Sequence, residues 1–124
     1  MLTGKTAIIT GANRGIGLAT VEVFSEQGAA IWACARTRSD EFEDKINEMS
    51  KKNGVTITPV YFDVTDETAV RNAIKKIGMA SKSIDILVNN ADISIERLFN
   101  MTSFDMMHKT METNFLFRQR EDIR

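Results

Sequence analysis

The 124-residue chain reads as an α/β protein, a doubly wound parallel sheet of about four strands and four helices. Three observations predict this architecture. Short apolar runs of strand length alternate four times with longer segments of helical spacing, the signature of strand–helix–strand units. Residues 30–35 are almost continuously apolar, as a strand covered on both faces requires. Residues 7–17 pass from an apolar run through three glycines straight into a helical pattern, so a strand turns sharply into a helix there.

The elements follow in order. Residues 5–10 form the first strand. From Ile16, the positions Ile16, Ala19, Thr20, Val23, Phe24 and Gln27 keep helical spacing, and Gly28 ends that helix. The second strand, residues 30–35, carries Trp32 and Cys34 as core residues. Ser39 caps the second helix, with Asp40 and Glu41 favourable at its positive end; Phe42, Ile46 and Met49 face inward, and Asn53 and Gly54 close it. The third strand, residues 55–62, contains Pro59, which donates no ladder hydrogen bond and so places the strand at a sheet edge. Thr65 or Asp66 starts a third helix facing inward through Val70, Ala73, Ile74 and Ile77. Residues 84–88 make a fourth strand. A fourth helix begins near Thr102 or Ser103, with Phe104, Met107, His108, Met111 and Phe115 on one face.

The stretch from Thr10 to Gly17 carries the chemistry. It reads Thr-Gly-Ala-Asn-Arg-Gly-Ile-Gly. Gly11 permits a tight turn, and Gly15 and Gly17 remove side chains where a pyrophosphate must approach the main chain. The free N–H groups and positive end of the new helix then face the anion. The spacing is Gly-x-x-x-Gly-x-Gly rather than Gly-x-Gly-x-x-Gly, and no Gly-Lys-Ser/Thr follows, which excludes a P-loop.

Bulk properties exclude other classes. Sixteen basic and seventeen acidic side chains leave a formal charge of −1, without blocks of one sign, so nothing marks a nucleic-acid-binding face. Apolar runs are too short for a membrane span, and the N-terminus lacks a signal-peptide pattern. Cys34 is the single cysteine and His108 the single histidine, which argues against a disulfide, a cysteine metal cluster or a histidine metal site and favours a reducing, cytoplasmic setting.

Four ordered motifs now support a resemblance. The Thr10–Gly17 segment, Asp63-Val64 after the third strand, Asn89-Asn90-Ala91 after the fourth, and Asn114 in the next helix together resemble the N-terminal part of the short-chain dehydrogenase/reductase family, particularly its 3-oxoacyl-carrier-protein reductases. The resemblance covers about residues 3–116. It implies a Rossmann-like fold and an oxidoreductase that moves hydride between a nicotinamide dinucleotide and a carbonyl or secondary alcohol. By the same resemblance, Thr10, Gly11, Asn13, Arg14, Gly15, Ile16 and Gly17 form the phosphate turn, Asp63 and Val64 meet the adenine, Asn90 and Ala91 lie along the cofactor's adenosine side, and Asn114 is a member of the catalytic tetrad. Asp92 departs from the pattern by standing where the family has glycine.

An NAD-binding member carries an acidic residue at the end of the second strand, where this chain has Ala35 followed by Arg36. With Arg14 in the turn, Arg36 favours a 2′-phosphate, hence NADP(H) over NAD(H). The family's serine and Tyr-x-x-x-Lys pair are not matched: Tyr61 is the only tyrosine, and Thr65 stands four residues on. Five of the last seven residues are charged, so residues 117–124 read as a tail departing from a dinucleotide-binding unit at 1–116, as in a truncation or frame change. The expected chain is a cofactor-binding half without turnover of its own; in the intact family a small carbonyl or acyl compound is the substrate. Two other readings stand beside it: a non-catalytic dinucleotide-binding module, and an interaction fragment whose fourth strand exposes an unpaired edge, giving a homo-oligomer or an aggregation-prone chain.

Overall fold

The computed structural model describes residues 1–90 and the backbone of residues 115–118. Five parallel strands form one sheet: β1 (Thr6–Ile9), β2 (Ala30–Ala35), β3 (Ile57–Tyr61), β4 (Ile86–Asn89) and β5 (Phe115–Arg118), in the order β3-β2-β1-β4-β5. Three helices connect the first four strands: α1 (Gly15–Glu26), α2 (Asp40–Asn53) and α3 (Glu67–Ala80). The expected fourth helix up to Asn114, with His108, lies outside the described residues, as do Ala91 and Asp92. No helix among the described residues is long and apolar enough to cross a membrane.

Strand alternation divides the core into two layers. Ile8, Cys34, Val60 and Leu87 point to the face covered by α3, where they meet Val70, Ala73, Ile74 and Ile77. Ala7, Ile9, Ile31 and Ala33 point to the opposite face, against Val21 of α1 and Phe42 and Ile46 of α2. Each of the fully buried large side chains contributes about 1.5–3 kcal/mol by leaving water. The registers Ile8↔Trp32 and Ile8↔Leu87 place β1 at the centre of the described strands. β3 is an edge strand, as Pro59 predicts.

Helix ends follow local chemistry. The Ser39 hydroxyl accepts from the Phe42 N–H at 3.1 Å, and Asp66 accepts from the Ala69 N–H at 3.1 Å, which selects Asp66 rather than Thr65 as the cap of α3. Gly54 takes the left-handed conformation that closes α2.

Three expectations are corrected. The buried residues of α1 are Gly17, Val21 and Ser25, whereas Ile16 and Val23 are each 53% exposed. The helix approaches the glycine turn so closely at Gly17 that a Cβ there would meet the Gly11 carbonyl, and this contact turns the Gly17–Val21–Ser25 face inward. Trp32 is half-buried rather than core: its ring packs against the α3-side layer while its indole N–H reaches the Ser81 hydroxyl at 2.8 Å. Phe115 begins a strand instead of lying on a helix face. The consecutive Phe-Leu-Phe run suits an extended segment, and it pairs in parallel with β4 through Leu87↔Leu116. This pairing fills the edge of β4 that was expected to stand open and moves the outer edge of the described sheet to β5.

Candidate functional site

The carboxyl ends of β1, β2, β3 and β4 meet in one region, where the chain order reverses about β1; such crevices are where open α/β sheets receive ligands. The turn after β1 is fixed from both sides. The Thr10 N–H donates to the Val88 carbonyl at 3.0 Å, and the Ala12 N–H donates to the Cys34 carbonyl at 2.9 Å. The buried Thr10 hydroxyl donates to Asn89 Oδ1 at 3.0 Å and accepts from the Asn90 N–H at 3.0 Å, so one side chain ties the turn to the end of β4.

Gly11 and Gly15 both have φ near +59°, a conformation that L side chains rarely adopt. A Cβ on Gly11 would stand 3.2 Å from the Asn90 Cβ. On Gly15 it would meet nothing within 4 Å, so the main chain is open at that point of the turn. Arg14 is the residue preceding α1; its backbone is extended, no side chain caps the helix, and no acidic residue occupies the first turn. The positive end of α1 therefore keeps its N–H groups directed outward beside the glycine turn. Asn13, Arg14, Gly15 and Ile16 are exposed there, while Gly17 is buried beneath.

A cleft of about 180 Å³ opens between this turn and the ends of β2 and β3. It gathers six of the residues expected at the site: Thr10, Gly11, Asn13, Arg36, Asp63 and Val64. Whole-ligand pockets span ~300–1,000 Å³, so this cleft suits one part of a larger molecule, about the size of a base. Arg14, Gly15, Ile16 and Gly17 lie outside the cleft lining, on the turn leading from it into α1, and Asn90 closes against Gly11 from β4. Ala91 and Asn114 are outside the described residues.

The cleft wall is built asymmetrically. Ala35 and Phe62 supply apolar surface, with the Phe62 N–H on the Ala35 carbonyl at 3.0 Å. Asp63 Oδ1 accepts from the Thr65 N–H at 2.9 Å and from the Thr65 hydroxyl at 2.7 Å, while Oδ2 lies 3.2 Å from the Arg36 guanidinium. The two Thr65 bonds, and then Arg36, hold the Asp63 carboxyl below its ordinary range. Burial pushes the Cys34 thiol up to about 12, which makes it an inert part of the wall. Thr65 had not been assigned to the site; the signal was present in the Asp-x-Thr spacing, where an aspartate accepts hydrogen bonds from the residue two positions on.

These residues fit a dinucleotide. Asn90 Nδ2 and Oδ1 are buried and have no hydrogen-bond partner among the described residues, leaving a donor and an acceptor of the kind that ribose hydroxyls satisfy.

Comparison with known proteins agrees with this geometry. A profile described as "short chain dehydrogenase" matches residues 5–116. The 7alpha-hydroxysteroid dehydrogenase of Clostridium sardiniense is 35% identical over 107 residues, 84% of this chain and 39% of that protein. The 3-oxoacyl-[acyl-carrier-protein] reductase of Vibrio harveyi is 35% identical over 113 residues, 91% of this chain and 44% of that protein. The crystal structure of L-sorbose reductase from Gluconobacter frateurii, complexed with NADPH and L-sorbose, superposes with a TM-score of 0.77 at 26% identity, covering 87% of this chain and 49% of that one. The chain thus spans less than half the length of each of these relatives.

Proposed function

The chain belongs to the short-chain dehydrogenase family of oxidoreductases, and from that premise we propose that residues 1–116 are the cofactor-holding part of an enzyme that exchanges hydride between NADP(H) and a small carbonyl or acyl compound. The observation that carries the choice of NADP(H) is Arg36 at the end of β2, on the rim of the cleft, following an alanine where an acidic residue would be needed to hold a free ribose diol. The backbone of Gly11, Asn13, Gly15 and Ile16 would hold the pyrophosphate, above Gly17. Arg14 and Arg36 would hold the 2′-phosphate, Asp63 and Val64 the adenine, and Asn90 and Ala91 the adenosine side of the cofactor. When bound, the nicotinamide ring supplies or takes up the hydride. Asn114 is our single candidate for a catalytic residue, positioning water for proton transfer.

Tyr61 is unsuited to the proton-donor role. It sits on the edge strand β3, its hydroxyl donates to Glu43 at 2.6 Å, and burial together with that bond pushes its phenol up to about 12. We therefore expect this chain to bind cofactor without turnover by itself, in a cytoplasmic setting. The test is fluorescence titration of the chain with NADPH and NADH. Saturable binding that favours NADPH is expected, and Arg36→Ala should weaken NADPH about ten-fold without weakening NADH. Equal losses for both cofactors would remove Arg36 from the phosphate site.

A further inference from the structure

We propose that the Arg36–Asp63 ion pair is a latch across the adenine end of the cleft, which a dinucleotide must exchange for its own contacts, and that this exchange helps select a 2′-phosphate. The inference rests on the cofactor assignment above and adds to it a coupling between two parts of the ligand.

The geometry points to an exchange. β2 and β3 pair in parallel with Ala35 opposite Tyr61, so Arg36 and Asp63 follow neighbouring strands at the same end of the sheet. Both line the cleft, and the guanidinium reaches Asp63 Oδ2 at 3.2 Å. Asp63 is the fixed member: Oδ1 is committed to the N–H and hydroxyl of Thr65, and its side chain is 34% exposed. Arg36 is the movable member, with 77% of its side chain exposed. Arg38, two residues on, is engaged elsewhere by Asp40 at 3.0 Å and Glu43 at 3.3 Å.

A base amino group approaching the carboxylate therefore finds Arg36 already on Oδ2. A dinucleotide carrying a 2′-phosphate gives the guanidinium a new anion and gives Oδ2 a new donor, so both ends of the broken pair are matched again. A dinucleotide without that phosphate matches only the carboxylate and sends Arg36 into water. The amino group and the phosphate thus strengthen each other's contribution, a coupling read by a cycle of ligand variants. Exposed ion pairs are weak, so the coupling should be roughly two- to five-fold in affinity.

The experiment uses the wild-type chain and four reduced dinucleotides: NADPH, NADH and the hypoxanthine counterpart of each, which lacks the amino group. Replacing adenine should weaken the phosphorylated pair roughly two- to five-fold more than the unphosphorylated pair. In Asp63→Asn, which keeps an acceptor for Thr65 but removes the charge, that difference should vanish. Equal weakening in the wild type, with NADPH still preferred over NADH, overturns the latch and leaves the phosphate assignment standing. A difference that survives in Asp63→Asn also overturns it. Absence of any preference for NADPH overturns the assignment beneath it, and the latch with it.

Discussion

Gly17→Ala separates two physical effects by sign. Gly17 lies in the first turn of α1, where alanine is the better helix former by about 1 kcal/mol, so propensity alone predicts a more stable protein. Packing predicts the reverse. A Cβ at this position would stand 1.8 Å from the Gly11 carbonyl oxygen, 2.7 Å from the Gly11 carbonyl carbon and 3.1 Å from the Ala12 Cα. Carbon and oxygen normally approach to ~3.3 Å, so helix and turn must separate by roughly 1.5 Å. All three atoms are backbone, and the turn is held by the Ala12 N–H on Cys34, so no side-chain rotation relieves the clash. Overpacking of this kind costs about 3 kcal/mol, the upper end of its usual range. The net expectation is a loss of about 2 kcal/mol, which lowers a urea midpoint by about 1 M at unchanged slope. Because the displaced atoms form the turn proposed to hold the pyrophosphate, NADPH binding should fall as well. A Gly17→Ala chain as stable as the wild type would refute the assignment of Gly17 to close helix–turn contact.

Two further perturbations read other parts of the wall and core. Because burial raises the folded-state pKa of Cys34 to about 12, the thiol's contribution is complete below the unfolded value near pH 9 and is lost as pH rises toward 12. Urea midpoints should fall from pH 8 to pH 10.5, Cys34→Ala should flatten that fall, and a thiol-reactive dye should label the wild type only after unfolding. Trp32→Phe removes the indole N–H that donates to Ser81 at 2.8 Å and should cost about 1 kcal/mol in thermal or urea unfolding. In a Ser81→Ala background the same change should cost distinctly less, and an unchanged cost would show that ring packing rather than the hydrogen bond accounts for it.

What could be read in the sequence was whatever depends on near neighbours. Pro59 announces an edge because its missing N–H is an intrinsic property. Ser39 and Gly54 mark helix ends because capping is settled within a few residues. The glycine turn was legible for the same reason. The buried face of α1 was not, since Ile16 and Val23 are the more apolar residues and only the close approach at Gly17 turns them outward. The Arg36–Asp63 pair joins strand ends 27 positions apart, and the Asn90 amide, without a partner among the described residues, is set by the turn after β1 that closes on it; neither follows from composition or period. The Phe115 strand was misread because a helix pattern leading up to it was extended past the point where three consecutive apolar residues suit a ladder better.

The position of β1 at the centre of the described strands also governs the order in which the sheet is assembled during synthesis. Its pairing with β2 is available early, since Ala7 meets Ile31, but its other edge waits for Ile86, 79 residues beyond Ala7. At ~5–20 residues per second a ribosome needs roughly 4–16 s to deliver that partner. For those seconds the nascent chain carries Ala7, Ile8 and Ile9 with one row of main-chain donors and acceptors unmatched, beside a glycine turn whose Thr10 anchor on Val88 has not yet been made. The glycine turn is therefore fixed in place only when β4 emerges, however early its glycines are translated.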